Sequence, residues 1–114
     1  MTPTATISTH VLDTALGAPA SAIAVTLYRV SEGSVTELGR GTTDADGRVA
    51  SFGVAVLQEG THRLCFEVAS YFAETRRASF YSEICIAFEV AAVPQHYHVP
   101  LLLSPYGYST YRGS

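Results

Sequence analysis

A two-residue alternation of apolar and polar side chains recurs along most of this chain and constrains its fold more than any other feature. In "THRLCFEV", Leu64, Phe66 and Val68 fall on one face, and "ATISTHVL" and "SEICIAFEV" alternate in the same way. Successive side chains of a β-strand point to opposite faces, so this period indicates strands with one buried face. Turn-forming stretches such as "LGAPAS", "SEGS" and "DADG" separate them. Seven or eight strands at this spacing predict an all-β antiparallel sandwich.

One segment breaks the alternation. "SYFAETRR" contains neither Pro nor Gly, and Tyr71, Phe72 and Thr75 recur in it at helical spacing. We therefore predict one short helix over Ser70–Arg77.

Size and charge narrow the classes of partner. The 114 residues, 47% of them apolar and 15% charged, predict a single folded domain over residues 1–114. The net charge is −3 and the basic residues form no cluster beyond Arg76-Arg77, so neither nucleic acid nor an anionic membrane is expected as a partner. No secretory signal is visible at the start and no apolar run could cross a bilayer, so a cytoplasmic protein is expected.

The two cysteines, Cys65 and Cys85, are too few for a disulfide framework, and they form neither a CxxC motif nor a Cys/His metal spacing. We predict that both are reduced core residues rather than a bridge.

The histidines are the first candidates for chemistry. His96 and His98 share one strand face in "HYHV", and two histidines at this spacing could hold a metal ion, but no third ligand accompanies them. No metal or cofactor is therefore predicted. His10 lies on the polar face of the first strand, near Ser8. Taken singly, each histidine is more often structural or simply exposed.

Two local motifs have simple structural explanations. "TDADGRV" resembles a fragment of a calcium loop but lacks the closing Glu, so Asp46-Gly47 is predicted to be a hairpin turn with Arg48 beginning the next strand. Ser114, His98 and Asp13 could form a triad on paper, but no serine lies in a G-x-S-x-G elbow, which disfavours acyl-enzyme chemistry.

The segment "YHVPLLLSPYGYSTYRGS" resembles the signature of the 5-hydroxyisourate hydrolases, the transthyretin-related enzymes of urate breakdown. "STHVLDTALGAPA", "TDADGRV" and "SYFAETRRASFYSEICIAFEV" resemble further segments of that family, in the same order. Tyr111–Ser114 is the most specific part, because transthyretin shares the fold and much of "LLSPYxYST" but lacks this tetrapeptide. Ser82, where the family often has Pro, is one of few departures.

The resemblance implies a transthyretin-like sandwich of two four-stranded sheets with one short helix. In one sheet the fourth, first, seventh and eighth strands would lie side by side. Arg48, His10, His98 and Tyr111 would then come from four adjacent strands, and the alternation places them on one outer face. The resemblance also implies a homotetramer in which outer faces of two dimers line a channel.

The activity implied by the resemblance is hydrolysis of 5-hydroxyisourate to 2-oxo-4-hydroxy-4-carboxy-5-ureidoimidazoline, in purine (urate) degradation. A histidine would activate water as a general base without a metal. His10 and His98 would share water activation and proton transfer, and Arg48 would bind substrate oxygens and stabilise the oxyanion.

Three residues near the end of the chain complete this assignment. Tyr111 would bind substrate together with His10 and Arg48. Ser114 would orient a histidine or the water through its hydroxyl or a terminal carboxylate, and Arg112 would anchor the segment.

The alternative is a non-catalytic, transthyretin-like carrier of a small ligand. A carrier favours an apolar channel, whereas the predicted face holds two histidines, an arginine and a tyrosine.

Overall fold

The computed structural model describes residues 5–54, 56–92 and 94–114. Within these ranges the chain is mostly β-strand, as the alternation predicts. The elements in chain order are β1 (Thr6–Asp13), β2 (Ala18–Pro19), β3 (Ala24–Ser31), β4 (Ser34–Thr42), β5 (Arg48–Val49), β6 (Gly60–Glu67), α1 (Val68–Glu74), β7 (Glu83–Val90), β8 (His96–Ser104) and β9 (Gly107–Thr110).

The strands form two sheets, as predicted. One has the order β4-β3-β6-β7, and the other has the order β2-β1-β8-β9 with β5 also paired to β1. The second sheet therefore has five strands rather than four, because the two-residue strands β2 and β5 both pair with β1, at different heights. The strands that the resemblance counts as the fourth, first, seventh and eighth are β5, β1, β8 and β9 of the structure. They lie side by side in that order, as the resemblance implies. Strands β1 and β8 run parallel, and the other pairs are antiparallel.

The buried residues follow the two-residue period and fix which side chains face outward. On β1, Ile7, Thr9 and Val11 are buried while their neighbours are only partly buried. On β8, Tyr97 and Val99 are buried and face the core. His10 and His98 consequently point away from the core, as the alternation predicts.

The predicted helix is present but lies earlier in the chain. It spans Val68–Glu74 instead of Ser70–Arg77, and it buries Val68, Tyr71 and Phe72. Arg76 adopts a positive φ of 56°, a conformation that interrupts a right-handed helix. In the described ranges, the chain forms no helix long and apolar enough to cross a membrane.

Helix α1 is connected to β1 through a buried carboxylate. Asp13 is fully buried, accepts a hydrogen bond of 2.7 Å from the Tyr71 hydroxyl and pairs with Arg77 at 2.5 Å. Its other oxygen accepts the backbone N–H groups of Ala15 and Leu16. Burial by itself would raise the pKa of Asp13, but these partners outweigh it and the pKa lies below the ordinary value.

The prediction for the cysteines was wrong. Cys65 and Cys85 lie opposite each other on β6 and β7 and form a disulfide, and Cys85 is exposed rather than in the core. Leu64 and Phe66 face inward, so the alternation directs Cys65 to the outer face, where its partner lies. The spacing of the two residues in the sequence does not show that they face each other, because that depends on the register of β6 against β7.

Candidate active site

A tight turn places Arg48 on the outer edge of β1. The Asp44 carboxylate accepts the backbone N–H groups of Asp46 at 2.9 Å and Arg48 at 3.0 Å. Gly47 has a φ of 76°, and a Cβ there would come within 2.4 Å of the Val11 carbonyl oxygen. The turn predicted at Asp46-Gly47 is therefore present, but it is not a hairpin turn, because β4 pairs with β3 in one sheet and β5 pairs with β1 in the other. Gly47 is required by both its conformation and its surroundings.

The register that follows the turn sets Arg48 beside the first predicted histidine. Arg48 is paired with His10 across the β5–β1 ladder, and Ser8 is paired with His98 across the β1–β8 ladder. The parallel pairing of β1 and β8 thus brings two outward rows of polar side chains together.

Two hydroxyl groups and two imidazoles form a hydrogen-bonded chain on this face. The Ser8 Oγ lies 2.8 Å from the His96 Nε2 and 2.9 Å from the His98 Nδ1. The Thr6 Oγ1 lies 2.6 Å from the His96 Nδ1. The order is therefore His98, Ser8, His96, Thr6.

A serine hydroxyl has one proton, so between two neutral imidazoles Ser8 donates to one ring and accepts from the other. In one arrangement the His98 Nδ1–H donates to Ser8, Ser8 donates to the His96 Nε2, and the His96 Nδ1–H donates to Thr6. The His98 Nε2 is then unprotonated. The chain of hydrogen bonds therefore permits the tautomer of His98 that a general base requires.

The electrostatic surroundings keep His98 neutral. Burial lowers the pKa of His98 below its ordinary value, and electrostatic interactions with Arg48, His10 and His96 lower it further. A hydrogen bond to the backbone of Ser8 acts in the opposite direction but does not reverse the shift. This lowering of its pKa favours the neutral form of His98, which can accept a proton.

The segment that follows β9 packs directly against His98. The Gly113 N–H donates to the His98 carbonyl oxygen at 2.8 Å, and a Cβ on Gly113 would lie 2.5 Å from the His98 Cδ2. Arg112 stacks on Tyr97 with its guanidinium 4.9 Å from the ring centroid, and it donates to the Gln95 Oε1 at 2.6 Å. These contacts agree with the anchoring role predicted for Arg112.

The polar side chains line a pocket of about 280 Å³. Arg48, His96 and His98 line it, and Ser8 and Thr9 form part of its wall. The pocket therefore combines a fixed positive charge, a neutral imidazole and hydroxyl groups that orient it. His10 is paired with Arg48 and interacts electrostatically with His98, but it does not itself line this pocket.

Two predicted residues lie elsewhere in the single chain. Tyr111 lines a different groove, of about 340 Å³, together with Phe88 and Tyr97. Strand β9 ends at Thr110, so the alternation that predicted the face of Tyr111 does not continue through it. Ser114 is exposed, and its side chain makes no hydrogen bond to the residues that the structure describes.

Sequence reasoning did not assign a site role to Ser8, Thr6, His96 or Gly113. The alternation already placed Ser8 on the face of His10 and His96 on the face of His98. The missing information was the parallel register of β1 on β8, which brings Ser8 within hydrogen-bonding distance of His96 and His98.

None of these histidines belongs to a group of three potential metal ligands within the described ranges. The one such group there is Cys65, Glu83 and Cys85, on the other sheet.

The model of the HIUase/Transthyretin family matches residues 7–113 of the chain. A curated relative from Rhizobium meliloti, "5-hydroxyisourate hydrolase 2", is 44% identical over 121 aligned positions, covering all of both chains. A solved 5-hydroxyisourate hydrolase from Klebsiella pneumoniae superposes with a TM-score of 0.85 at 38% identity, covering 96% of this chain and 99% of that one.

A transthyretin with the same fold is more distant in sequence. Sea bream transthyretin, solved in complex with thyroxine, superposes with a TM-score of 0.87 at 25% identity, covering 94% of this chain and 93% of that one. The backbone is thus about equally similar to a 5-hydroxyisourate hydrolase and to a thyroxine-bound transthyretin, so the fold alone does not distinguish the two.

Proposed function

This chain belongs to the HIUase/Transthyretin family, and from that premise we propose that it is a 5-hydroxyisourate hydrolase acting in urate degradation. Curated relatives that are 41% and 44% identical bear that name. The observation that carries the proposal is the hydrogen-bonded chain through His98, Ser8 and His96 beside Arg48. A general base with a matched orienting group and a fixed cation is the equipment that metal-free hydrolysis of a cyclic amide needs.

In the proposed reaction, the His98 Nε2 takes a proton from water as the water oxygen attacks the lactam carbonyl carbon. The positive charge that develops on His98 is stabilised by its Nδ1–H···Oγ bond to Ser8, which His96 and Thr6 continue. Cleavage of the C–N bond then opens the six-membered ring, and the leaving nitrogen takes up a proton. The product is 2-oxo-4-hydroxy-4-carboxy-5-ureidoimidazoline.

Arg48 has two tasks in this proposal. Its guanidinium binds substrate oxygens and stabilises the negative charge on the carbonyl oxygen as water adds. It also contributes to the low pKa of His98. His10, its neighbour on β1, binds substrate, and the protonated His98 Nε2 gives its proton to the leaving nitrogen, which leaves His98 neutral again.

The pocket of a single chain lies on an outer sheet face and is open to water, so we include assembly in the proposal. Packing of this outer face against that of another chain, in a homotetramer, would exclude water and strengthen the electrostatic interactions within the pocket. Tyr111 and Ser114 would contribute to substrate binding and orientation in that assembly. Substrate and further copies of this chain are the partners proposed.

The carrier alternative is less well supported, because the candidate pocket contains Arg48 and two imidazoles. Desolvating these groups against an apolar ligand would be unfavourable.

The decay of ultraviolet absorbance of freshly prepared 5-hydroxyisourate, with and without protein and with a chelator present, tests the proposal. We expect saturable acceleration, and a loss of at least about 100-fold in the folded variant His98→Asn. Folded wild-type protein that binds a small apolar ligand but does not accelerate the decay would instead identify a carrier.

A further inference from the structure

His96 is hydrogen-bonded through both nitrogens of its ring. Its Nε2 lies 2.8 Å from the Ser8 Oγ, and its Nδ1 lies 2.6 Å from the Thr6 Oγ1. Neither nitrogen is therefore directed at a substrate, although the residue lines the pocket. In the proposed reaction His96 only continues the chain of hydrogen bonds that begins at His98. Any larger contribution of His96 to the reaction has to pass through Ser8.

The strand register places His96 farther from the fixed positive charge than His98. Arg48 is paired with His10, and His10 is paired with Pro100 on β8. His98 lies two residues from Pro100 along that strand, and His96 lies four residues from it. Repulsion between like charges weakens with distance. Arg48 thus opposes a positive charge on His98 more than it opposes one on His96.

The hydrogen-bond acceptors around the two rings differ in the same sense. A protonated imidazole donates from both nitrogens, and acceptors for both N–H groups favour the charged form. A protonated His96 has these acceptors in the Ser8 Oγ and the Thr6 Oγ1. A protonated His98 has Ser8 at its Nδ1, whereas its Nε2 has to remain available to water and to the leaving nitrogen. A positive charge is therefore better accommodated on His96 than on His98.

On the basis of the proposed hydrolysis, we propose that His96 holds the proton between the two steps of ring opening and that Ser8 relays it. As the water oxygen bonds to the carbonyl carbon, one water proton moves to the His98 Nε2. The Nδ1 proton of His98 moves to the Ser8 Oγ, and the hydroxyl proton of Ser8 moves to the His96 Nε2. His98 and Ser8 are then neutral, and the positive charge is on His96. When the C–N bond breaks, the leaving nitrogen takes the His98 Nε2 proton, and the other transfers run in reverse and restore the chain.

The tautomers of the two rings test this relay without any measurement of activity. One proton on the coupled chain blocks the His98 Nε2 wherever the charge lies, so the acidic limb of the rate does not reveal which ring is charged. Nitrogen-15 NMR of the histidine-labelled protein does reveal it, and the protein has only four histidines to assign. In the uncharged chain we expect His98 to be protonated at Nδ1. After uptake of one proton we expect the charge on His96 and a neutral His98 protonated at Nε2.

The variant Ser8→Ala is the control for the titration. It interrupts the relay, so the tautomer of His98 should no longer follow the charge of His96. A charge on His98 in the wild-type protein, or the same tautomer change in the wild-type protein and in Ser8→Ala, would overturn the proposal.

Neighbouring charges are accounted for by one further variant. Arg48 on β5 and His10 on β1 act on His98, and Arg112, in the segment packed against β8, donates to Gln95. Both arginines keep their charge throughout the titration, so His10 is the one of these neighbours that titrates. His10→Asn should leave the tautomer change of His98 in place. Loss of the change in this variant would assign it to His10 and overturn the relay.

The variant His96→Gln separates proton uptake from hydrogen bonding, because the amide can still bond to Ser8 but cannot accept a proton. We expect kcat for 5-hydroxyisourate to fall at least about tenfold, with KM changed less than about twofold. In mixtures of ordinary and heavy water, the wild-type rate should curve with the deuterium fraction because several protons move together. The rate of His96→Gln should vary linearly.

The kinetic outcomes distinguish the two proposals. A wild-type kcat in His96→Gln, or equal curvature in both proteins, would overturn the relay. Folded wild-type protein that does not accelerate the decay would refute the proposed hydrolase, and the tautomer titration would then decide the relay by itself.

The variant Thr6→Val tests the acceptor beyond His96. It removes the hydroxyl that accepts from the protonated ring and should lower kcat about threefold or more. Added to His96→Gln, the same substitution should have no further effect, because no charge forms there. Thr36→Val, at an exposed position of β4 on the other sheet, is the matched control and should keep the wild-type rate. Equal effects of the two substitutions would contradict a charged His96 in the reaction.

Discussion

At the scale of single residues, the candidate site depends on hydroxyl groups that determine what the imidazoles can do. Ser8 lies between His96 and His98 and can satisfy both rings only when their tautomers are matched. His98 is therefore oriented by a neighbour on another strand, in the manner of a general base held by a second polar group. The pairing of Ser8 with His98 has consequences for rate and for pH dependence.

Ser8→Ala is expected to lower kcat/KM for ring opening about 10- to 100-fold, because His98 loses the partner that fixes its ring and tautomer. The melting temperature should change by only a few degrees, since Ser8 faces outward. Ser31→Ala, at an exposed position on the other sheet, serves as the control and should keep the wild-type rate. A fully active Ser8→Ala variant would show that the hydrogen-bonded chain has no part in catalysis.

The pH profile tests the electrostatic role of Arg48. His98 must be neutral to accept a proton, and its pKa lies below 6.5, so the acidic limb of kcat/KM is expected below pH 6.5. Arg48→Gln removes one cause of the lowering while burial, the largest cause, remains. The limb should therefore move to higher pH without passing 6.5.

The quantity to compare is the pH at which kcat/KM falls on the acidic side, rather than the rate itself. Arg48→Gln also weakens substrate binding and therefore lowers the rate at every pH. Arg63→Gln, on the other sheet, removes the same charge and should leave the limb in place. An unshifted limb in Arg48→Gln would refute the coupling between Arg48 and His98.

At the scale of secondary-structure elements, the connection between α1 and β1 stabilises the fold. Arg77→Gln removes the cation that pairs with the buried Asp13. We expect a loss of about 2 kcal/mol in the free energy of unfolding, less than for a fully buried pair because Arg77 is 21% exposed. Chemical denaturation at neutral pH measures this loss.

The control for this element is Arg40→Gln, which breaks the ion pair between Arg40 and Glu37 on the surface of β4. It should lower the free energy of unfolding much less than Arg77→Gln does. Because the pKa of Asp13 is depressed by folding, the contribution of this carboxylate is present above its unfolded pKa of about 3.8 and is lost as pH falls through its folded pKa. Equal destabilisation by Arg77→Gln and Arg40→Gln would contradict the importance of burial here.

The segment after β9 is the second element with a testable role. Gly113→Ala places a methyl group against the His98 ring, and the resulting displacement should lower the ring-opening rate about 10- to 100-fold. Gly107→Ala is the matched control, because a Cβ there meets only the Ser104 Oγ at 3.6 Å. If both variants are equally active, contact with Gly113 does not position His98.

At the scale of the whole molecule, the open pocket predicts assembly. A site that excludes water needs a cover over the outer face of the β2-β1-β8-β9 sheet, and edge strands such as β7 also need protection. Sedimentation at assay concentration should therefore give four times the 12.2 kDa mass of the chain. A fully active monomer at that concentration would refute the tetramer.

The sequence by itself determined the class of fold and much of the site. Alternation is a local property, because each side chain of a strand faces opposite to its neighbour, and so it correctly predicted the sandwich and the outward direction of His10 and His98. The turn at Asp46-Gly47 was equally local. The resemblance to the family added the strand order, which places Arg48 beside His10.

Only the tertiary structure decided which outward side chains meet. The register of β1 on β8 joins Ser8 to His96 and His98, and the register of β6 on β7 joins Cys65 to Cys85. The end of β9 at Thr110 directs Tyr111 to another groove, and a left-handed residue at Arg76 sets the limit of the helical segment. Registers and strand ends arise from packing between segments distant in sequence, and a one-residue shift would separate each of these pairs, so no local pattern could have revealed them.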